Sequence, residues 1–105
     1  MTLKRSLSPN GDYSAVVFRR DCGATTGFST QISILGPDET PDEGGNVFVA
    51  DDNHGTATLL LMSGPWADAQ WLGPRHLLVR YAPGARIFRK EERVEGVTVT
   101  FKAAF

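Results

Sequence analysis

Residues able to do chemistry are few, and they gather around one stretch, Arg20-Asp21-Cys22-Gly23-Ala24-Thr25-Thr26-Gly27-Phe28, which holds the chain's one cysteine. A loop of glycines and small hydroxyl residues can turn several backbone N–H groups towards one point, the arrangement that cradles anions. With Arg19 or Arg20 adding charge, Arg20, Asp21, Cys22, Gly23, Thr25, Thr26 and Gly27 make the candidate binding site. The same residues also fit ordinary turn chemistry. Asp21 and the threonines can bond to nearby backbone in Asx and Ser/Thr turns, leaving Cys22 as a small buried apolar group. The phosphate-loop pattern, Gly-x4-Gly-Lys-Ser/Thr, is absent, so Gly23 and Gly27 define no nucleotide site.

Two other constellations carry chemistry. A Cys22 nucleophile would need His54 or His76 as its base and a thiolate favoured by Arg20; Asp21 opposes that shift, and no Cys-His signature is present. The turn Asp51-Asp52-Asn53-His54-Gly55 offers oxygen ligands and one imidazole. It lacks the alternation and late Glu of a calcium loop, and zinc would want more His or Cys nearby. No catalytic residue, metal or cofactor is assigned on this basis.

Arg75, Arg80, Arg86, Arg89, Lys90 and Arg93 lie close in sequence to Trp71, Tyr81 and Phe88. Aromatics beside basic residues on strands can stack single-stranded bases. The competing arrangement has the aromatics lining a core and the arginines outside, and Glu91, Glu92 and Glu95 thin the positive charge. Nucleic acid is therefore not the expected partner, and Arg80, Arg86 and Arg89 are kept as a secondary binding surface.

The elements that must position these residues are short β-strands. An apolar run, Ala15-Val16-Val17-Phe18, enters the Cys22 loop, and Gln31-Ile32-Ser33-Ile34-Leu35 leaves it, so the loop connects two strands. Ser8-Pro9-Asn10-Gly11 is a turn before the first of them. Further strands are expected over 46–50, 69–72 and 76–81, and a last pair over 86–89 and 97–101 linked by Lys90-Glu91-Glu92-Arg93. Leu77, Val79 and Tyr81 share one face of their strand; His76, Leu78 and Arg80 share the other. Residues 36–45 form an acidic, proline-containing loop expected to be mobile, and residues 1–8 a disordered tail. A short helix within 56–69 is the alternative to a strand there. No segment has the periodicity of a strong amphipathic helix. The fold class is all-β, a small antiparallel sandwich or barrel built from hairpins.

At 105 residues the chain is one domain, residues 1–105, with a net charge of -1, so no global field draws it to nucleic acid or an anionic membrane. A single cysteine forms no internal disulfide and fits a reducing compartment. No apolar run spans a bilayer, and Met1-Thr2-Leu3-Lys4-Arg5-Ser6 leads into no signal segment. The expected location is cytoplasmic, or periplasmic or membrane-anchored if a leader has been removed.

Several stretches resemble a family of small bacterial proteins of unknown function. They are Ser8-Pro9-Asn10-Gly11, Ala15-Val16-Val17-Phe18, Arg20-Asp21-Cys22-Gly23-Ala24-Thr25-Thr26-Gly27-Phe28-Ser29-Thr30-Gln31, Asn46-Val47-Phe48-Val49-Ala50-Asp51, Trp71-Leu72, Leu77-Leu78-Val79-Arg80-Tyr81 and Gly96-Val97-Thr98-Val99. Many members of that family carry an N-terminal apolar segment, which this sequence lacks. The resemblance implies no catalytic residues. The Ser8–Gly11 turn with its strand also resembles a β-propeller blade, but one blade cannot bury both its faces.

The expected function is that of a small non-catalytic binding domain with a protein partner, in its specific form an inhibitor such as a toxin-immunity or phage anti-defence protein. A cysteine-dependent enzyme using Cys22, and single-stranded nucleic-acid binding through the 75–93 strands, are the alternatives.

Overall fold

Pro9 and Asn10 turn the chain on itself: Gly11 N–H donates to the Ser8 carbonyl at 2.9 Å, and Ser8 N–H to the Tyr13 carbonyl at 2.9 Å. Ser8 Oγ also accepts Tyr13 N–H at 3.1 Å, so a hydroxyl and a proline fix the corner. The turn joins β1 (Thr2–Leu7) to β2 (Ser14–Asp21), the first hairpin of a computed structural model that describes residues 2–21, 28–41, 44–51, 67–83 and 86–103. The remaining strands are β3 (Phe28–Leu35), β4 (Phe48–Asp51), β5 (Ala67–Gly73), β6 (His76–Tyr81), β7 (Arg86–Lys90), β8 (Arg93–Val94) and β9 (Val97–Ala103).

They form two sheets, ordered β1-β2-β3-β4-β7 and β5-β6-β9-β8. The fold is all-β and sandwich-like, with no helix among the described residues. Inner faces follow the alternation of the sequence. Ala15 and Val17 of β2, Ile32 and Ile34 of β3, and Phe48 and Ala50 of β4 meet Ala67 and Ala69 of β5, Leu77 and Val79 of β6, and Val97 and Val99 of β9. β-branched and small residues alternate across this layer, which lets two twisted sheets approach closely. β2 is buried on both faces: Val16 and Phe18, on the side away from the second sheet, are 0% and 3% exposed.

Two expectations are corrected, the tail and the last strand pair. Residues 2–7 are not a tail but an edge strand, paired with β2 from Leu7 opposite Ser14 to Thr2 opposite Phe18. The carbonyl of Ser6 accepts the Trp71 indole N–H at 2.9 Å, and Lys4 Nζ lies 2.6 Å from Asp68 Oδ1, so β1 is also tied to the second sheet. Within 56–69 the described residues, 67–69, are strand; the rest lies outside the described residues. The last pair does not form as expected. β7 pairs with β4, while β9 pairs antiparallel with β8 and parallel with β6, His76 standing opposite Thr98. That parallel pair makes the second sheet mixed. Its physical reason is the turn at Glu95-Gly96, where φ is 54° and 78°; it reverses the chain after β8, so β8 and not β7 is the hairpin partner of β9.

The start of the acidic loop is held in place. Glu39 Oε1 accepts the Gly36 N–H at 2.9 Å, and Arg5 donates to the carbonyls of Pro37 and Glu39. Residues 44–47 then lie against β3. The Asn46 side chain accepts Ile34 N–H at 2.8 Å and donates to the Ile34 carbonyl at 2.9 Å, standing in for a strand neighbour. Val47 N–H donates to the Ile32 carbonyl at 3.0 Å.

Candidate functional site

β2 and β3 pair over eight residues, from Ser14 opposite Leu35 to Asp21 opposite Phe28. The candidate loop is thus the connection between two strands. Arg20, opposite Ser29, is exposed near its base, and the Asp21 backbone closes the ladder. Cys22, Gly23, Thr25, Thr26 and Gly27 lie outside the described residues, as does His54. His76 is placed on the outer face of β6, where its Nε2 is 2.8 Å from Thr100 Oγ1.

The secondary surface divides. Arg80, on the outer face of β6, lies 3.3 Å from Asp68 Oδ2, and Lys4 approaches the other oxygen of the same carboxylate. Burial alone would raise the Asp68 pKa; the Lys4 hydrogen bond and charge, with the Arg80 contact, outweigh it and hold the carboxyl below the ordinary range. Arg80 is therefore part of the seam between β1, β5 and β6. Arg86 and Arg89 belong to the other sheet, on β7. The six basic residues are therefore not one stripe.

The aromatic residues sort the same way. Trp71 and Tyr81 pack against the core, Trp71 stacked with Tyr13 at 6.4 Å between centroids. Phe48 lies 5.6 Å from Tyr81 and 6.2 Å from Phe101. Phe88 alone of the three aromatics in the basic segment is exposed, at 62%, with the Arg86 guanidinium 5.2 Å from its ring centroid. Phe88 projects at a break in register between β4 and β7, so it follows neither face of the regular alternation.

Two hollows adjoin the C-terminal end of β7, at Arg89 and at Lys90. Arg89 lines one, of about 480 Å³, with Gln31, Gly44, Gly45, Asn46 and Val49 on the outer face of the first sheet. Its floor is rigid: Gln31 accepts Gly45 N–H at 2.8 Å and donates to Ser29 Oγ at 2.7 Å. The other, of about 540 Å³, lies beyond the end of β8 and is lined by Lys90, Arg93, Thr98, Thr100 and Phe101 among others. Sequence reading missed Thr100 and Phe101. The mismatch in length between β8, two residues, and β9, seven, could have revealed them.

Among the described residues no three His, Cys, Asp or Glu side chains come together to hold a metal ion, and no helix is long and apolar enough to cross a membrane. The geometry defines an all-β sandwich with a basic, aromatic edge strand. No protein-family model, no curated protein and no solved structure matches the chain.

Proposed function

We propose that the chain is a small non-catalytic binding domain whose ligand is another protein, engaged through β7. The observation that carries this is Phe88, 62% exposed on the strand that comes last in its sheet among the described residues, flanked by Arg86 and Arg89. Folding alone gives no reason to expose a phenylalanine of this size. Aromatic and arginine side chains are the residues that anchor protein interfaces, because each combines a large contact area with a directed polar or cationic group. Arg89 adds a charge at the rim of a pre-formed hollow. The inhibitor form of this function, toxin immunity or phage anti-defence, is consistent with a chain of 105 residues.

The test is affinity capture with the wild-type chain and with Phe88→Ser and Arg89→Glu. A specific protein retained by the wild type and lost from both variants, with their melting temperatures unchanged, supports the proposal. Retention of the same protein by both variants removes β7 as the interface. A salt-sensitive mobility shift with single-stranded DNA or RNA, abolished by Phe88→Ser, would favour nucleic acid instead.

A further inference from the structure

β8 ends opposite Thr98, but β9 continues to Ala103. Successive residues of a strand aim their backbone groups at alternate sides, and the hydrogen bonds fix which side is which. Thr98 N–H donates to the Arg75 carbonyl at 2.9 Å, on the β6 side; Val99 N–H donates to the Glu92 carbonyl at 2.8 Å, on the β8 side. Phe101 and Ala103 therefore present N–H and C=O groups to the side where β8 has ended, and no described strand lies there. The hollow of about 540 Å³ occupies that position. Among the described residues, Lys4–Asp68 and Trp71–Ser6 join the sheets on the β1–β5 side, while no ladder joins β7 to β9 on this one.

We propose that the free edge of β9 takes an extended acidic peptide by strand addition, in line with β8. The proposal rests on the protein-binding function above and gives it a mode and a partner chemistry. Main-chain groups supply the pairing, and side chains of the added strand alternate between two environments. On one side lie Phe101 and Tyr81, an apolar mouth capped by Lys90, whose Nζ is 5.4 Å from the Phe101 centroid. On the other lie Thr98, Thr100 and Lys102 of β9 with Arg93. Lys90, Arg93 and Lys102 outnumber Glu91 and Glu92 here, so carboxylates on the added strand meet cations. A second copy of the chain is a poor occupant, because pairing β9 with itself would set these cations against their own equivalents. Basic residues on an edge are a device that prevents such self-pairing.

The probe is an eight-residue peptide of alternating Val and Glu, with a Val/Lys counterpart and a Val/Glu version N-methylated at alternate amides, each titrated against the intact chain. The expected result is at least tenfold slower hydrogen exchange at the Phe101 and Ala103 amides with the Val/Glu peptide. Affinity should be at least tenfold lower for the Val/Lys and N-methylated peptides, and the charge preference should reverse in Arg93→Glu/Lys102→Glu. Equal binding of the N-methylated peptide, binding without protection of those amides, no binding of the Val/Glu peptide, or concentration-dependent dimerisation through β9 would each overturn it. A captured protein lost from Phe88→Ser but kept by Arg93→Glu/Lys102→Glu would overturn strand addition alone. A chain that captures no protein yet protects Phe101 with the acidic peptide would overturn the β7 interface and leave strand addition standing.

Discussion

Lys90 holds its ammonium 5.4 Å from the ring centroid of Phe101, although the two residues belong to different sheets. The same ammonium lies 6.0 Å from the Tyr81 centroid. β7 and β9 make no ladder with one another, so this cation over two rings joins Phe48, which packs on the same rings, in tying the two sheets together here. At an exposed site a cation–π contact contributes about 0.5–1 kcal/mol. Lys90→Ala should lower unfolding stability by about that amount, and Lys90→Arg should keep it. Denaturant unfolding reads the difference, and an unchanged midpoint for Lys90→Ala would show that the seam is held otherwise.

Asp68 makes stability depend on pH. Its carboxyl is held below its unfolded value, so the native state binds its proton less readily than the unfolded chain. Stability from this group is complete above about pH 5 and is lost as the pH falls through the depressed native pKa. Asp68→Asn should therefore melt below the wild type at pH 7, with the gap closing as the solution is acidified. Both cations are partly exposed, with Lys4 and Arg80 side chains 48% and 43% accessible, so added salt should narrow the gap as well. A gap that stays constant from pH 7 to pH 2 would mean the loss comes from packing and not from charge.

The strands were legible where alternation was strong and turns were chemically explicit. Ile32, Ile34, Leu77, Val79, Val97 and Val99 face the core as their spacing requires, and Pro9-Asn10-Gly11 turns where expected. β1 was not legible, because Leu3-Lys4-Arg5-Ser6 has a weak apolar pattern and gains its place from long-range contacts with Asp68 and Trp71. Strand partners were legible only for neighbours in sequence. β6 beside β9 is a parallel pair about twenty residues apart, which local turn residues cannot encode. Glu95-Gly96 was harder to read because Glu is a poor residue for positive φ. Of the candidate site, Cys22 to Gly27 lie outside the described residues, and the exposure of Phe88 was not legible, because a core lined by the aromatics was the arrangement its neighbours favoured. Nor was the division of Arg80 from Arg86 and Arg89, since only the topology shows that they sit on different sheets.

Gly44 and Gly45 are adjacent but not equivalent. A Cβ on Gly45 would stand 2.6 Å from the Phe48 carbonyl oxygen and 2.9 Å from that of Ile32, both backbone atoms of the first sheet. A Cβ on Gly44 would meet only Gln31 Oε1, at an ordinary 3.6 Å. Gly45→Ala should therefore destabilise by about 2–3 kcal/mol, as overpacking against fixed atoms does, while Gly44→Ala should stay within about 0.5 kcal/mol of wild type. Gly45→Ala should also disturb the hollow beside Arg89, visible as shifted Gln31 side-chain amide resonances. Equal melting temperatures for the two variants would mean that residues 44–47 can move away from β3.

Glu95 has φ of 54° and Gly96 of 78°, both positive, which is the geometry of a two-residue type I′ hairpin between Val94 and Val97. Glutamate brings a Cβ into the left-handed region at a cost of about 1 kcal/mol, whereas asparagine tolerates that region and Asn-Gly is the preferred pair for this turn. The Glu95 carbonyl accepts the Tyr13 hydroxyl at 3.0 Å, and since this is a backbone contact a substitution leaves it in place. Glu95→Asn should raise stability by about 0.5–1 kcal/mol. Gly96→Ala should lower it by about 1–2 kcal/mol through the backbone alone, since the atom nearest its new Cβ, Arg75 Nη1, is 3.7 Å away and no clash intervenes. Thermal melts of both variants test this pairing of opposite signs. Loss of stability in Glu95→Asn would show that the glutamate side chain itself holds the turn. It would then be the carboxylate, and not the hairpin geometry, that sets β8 against β9.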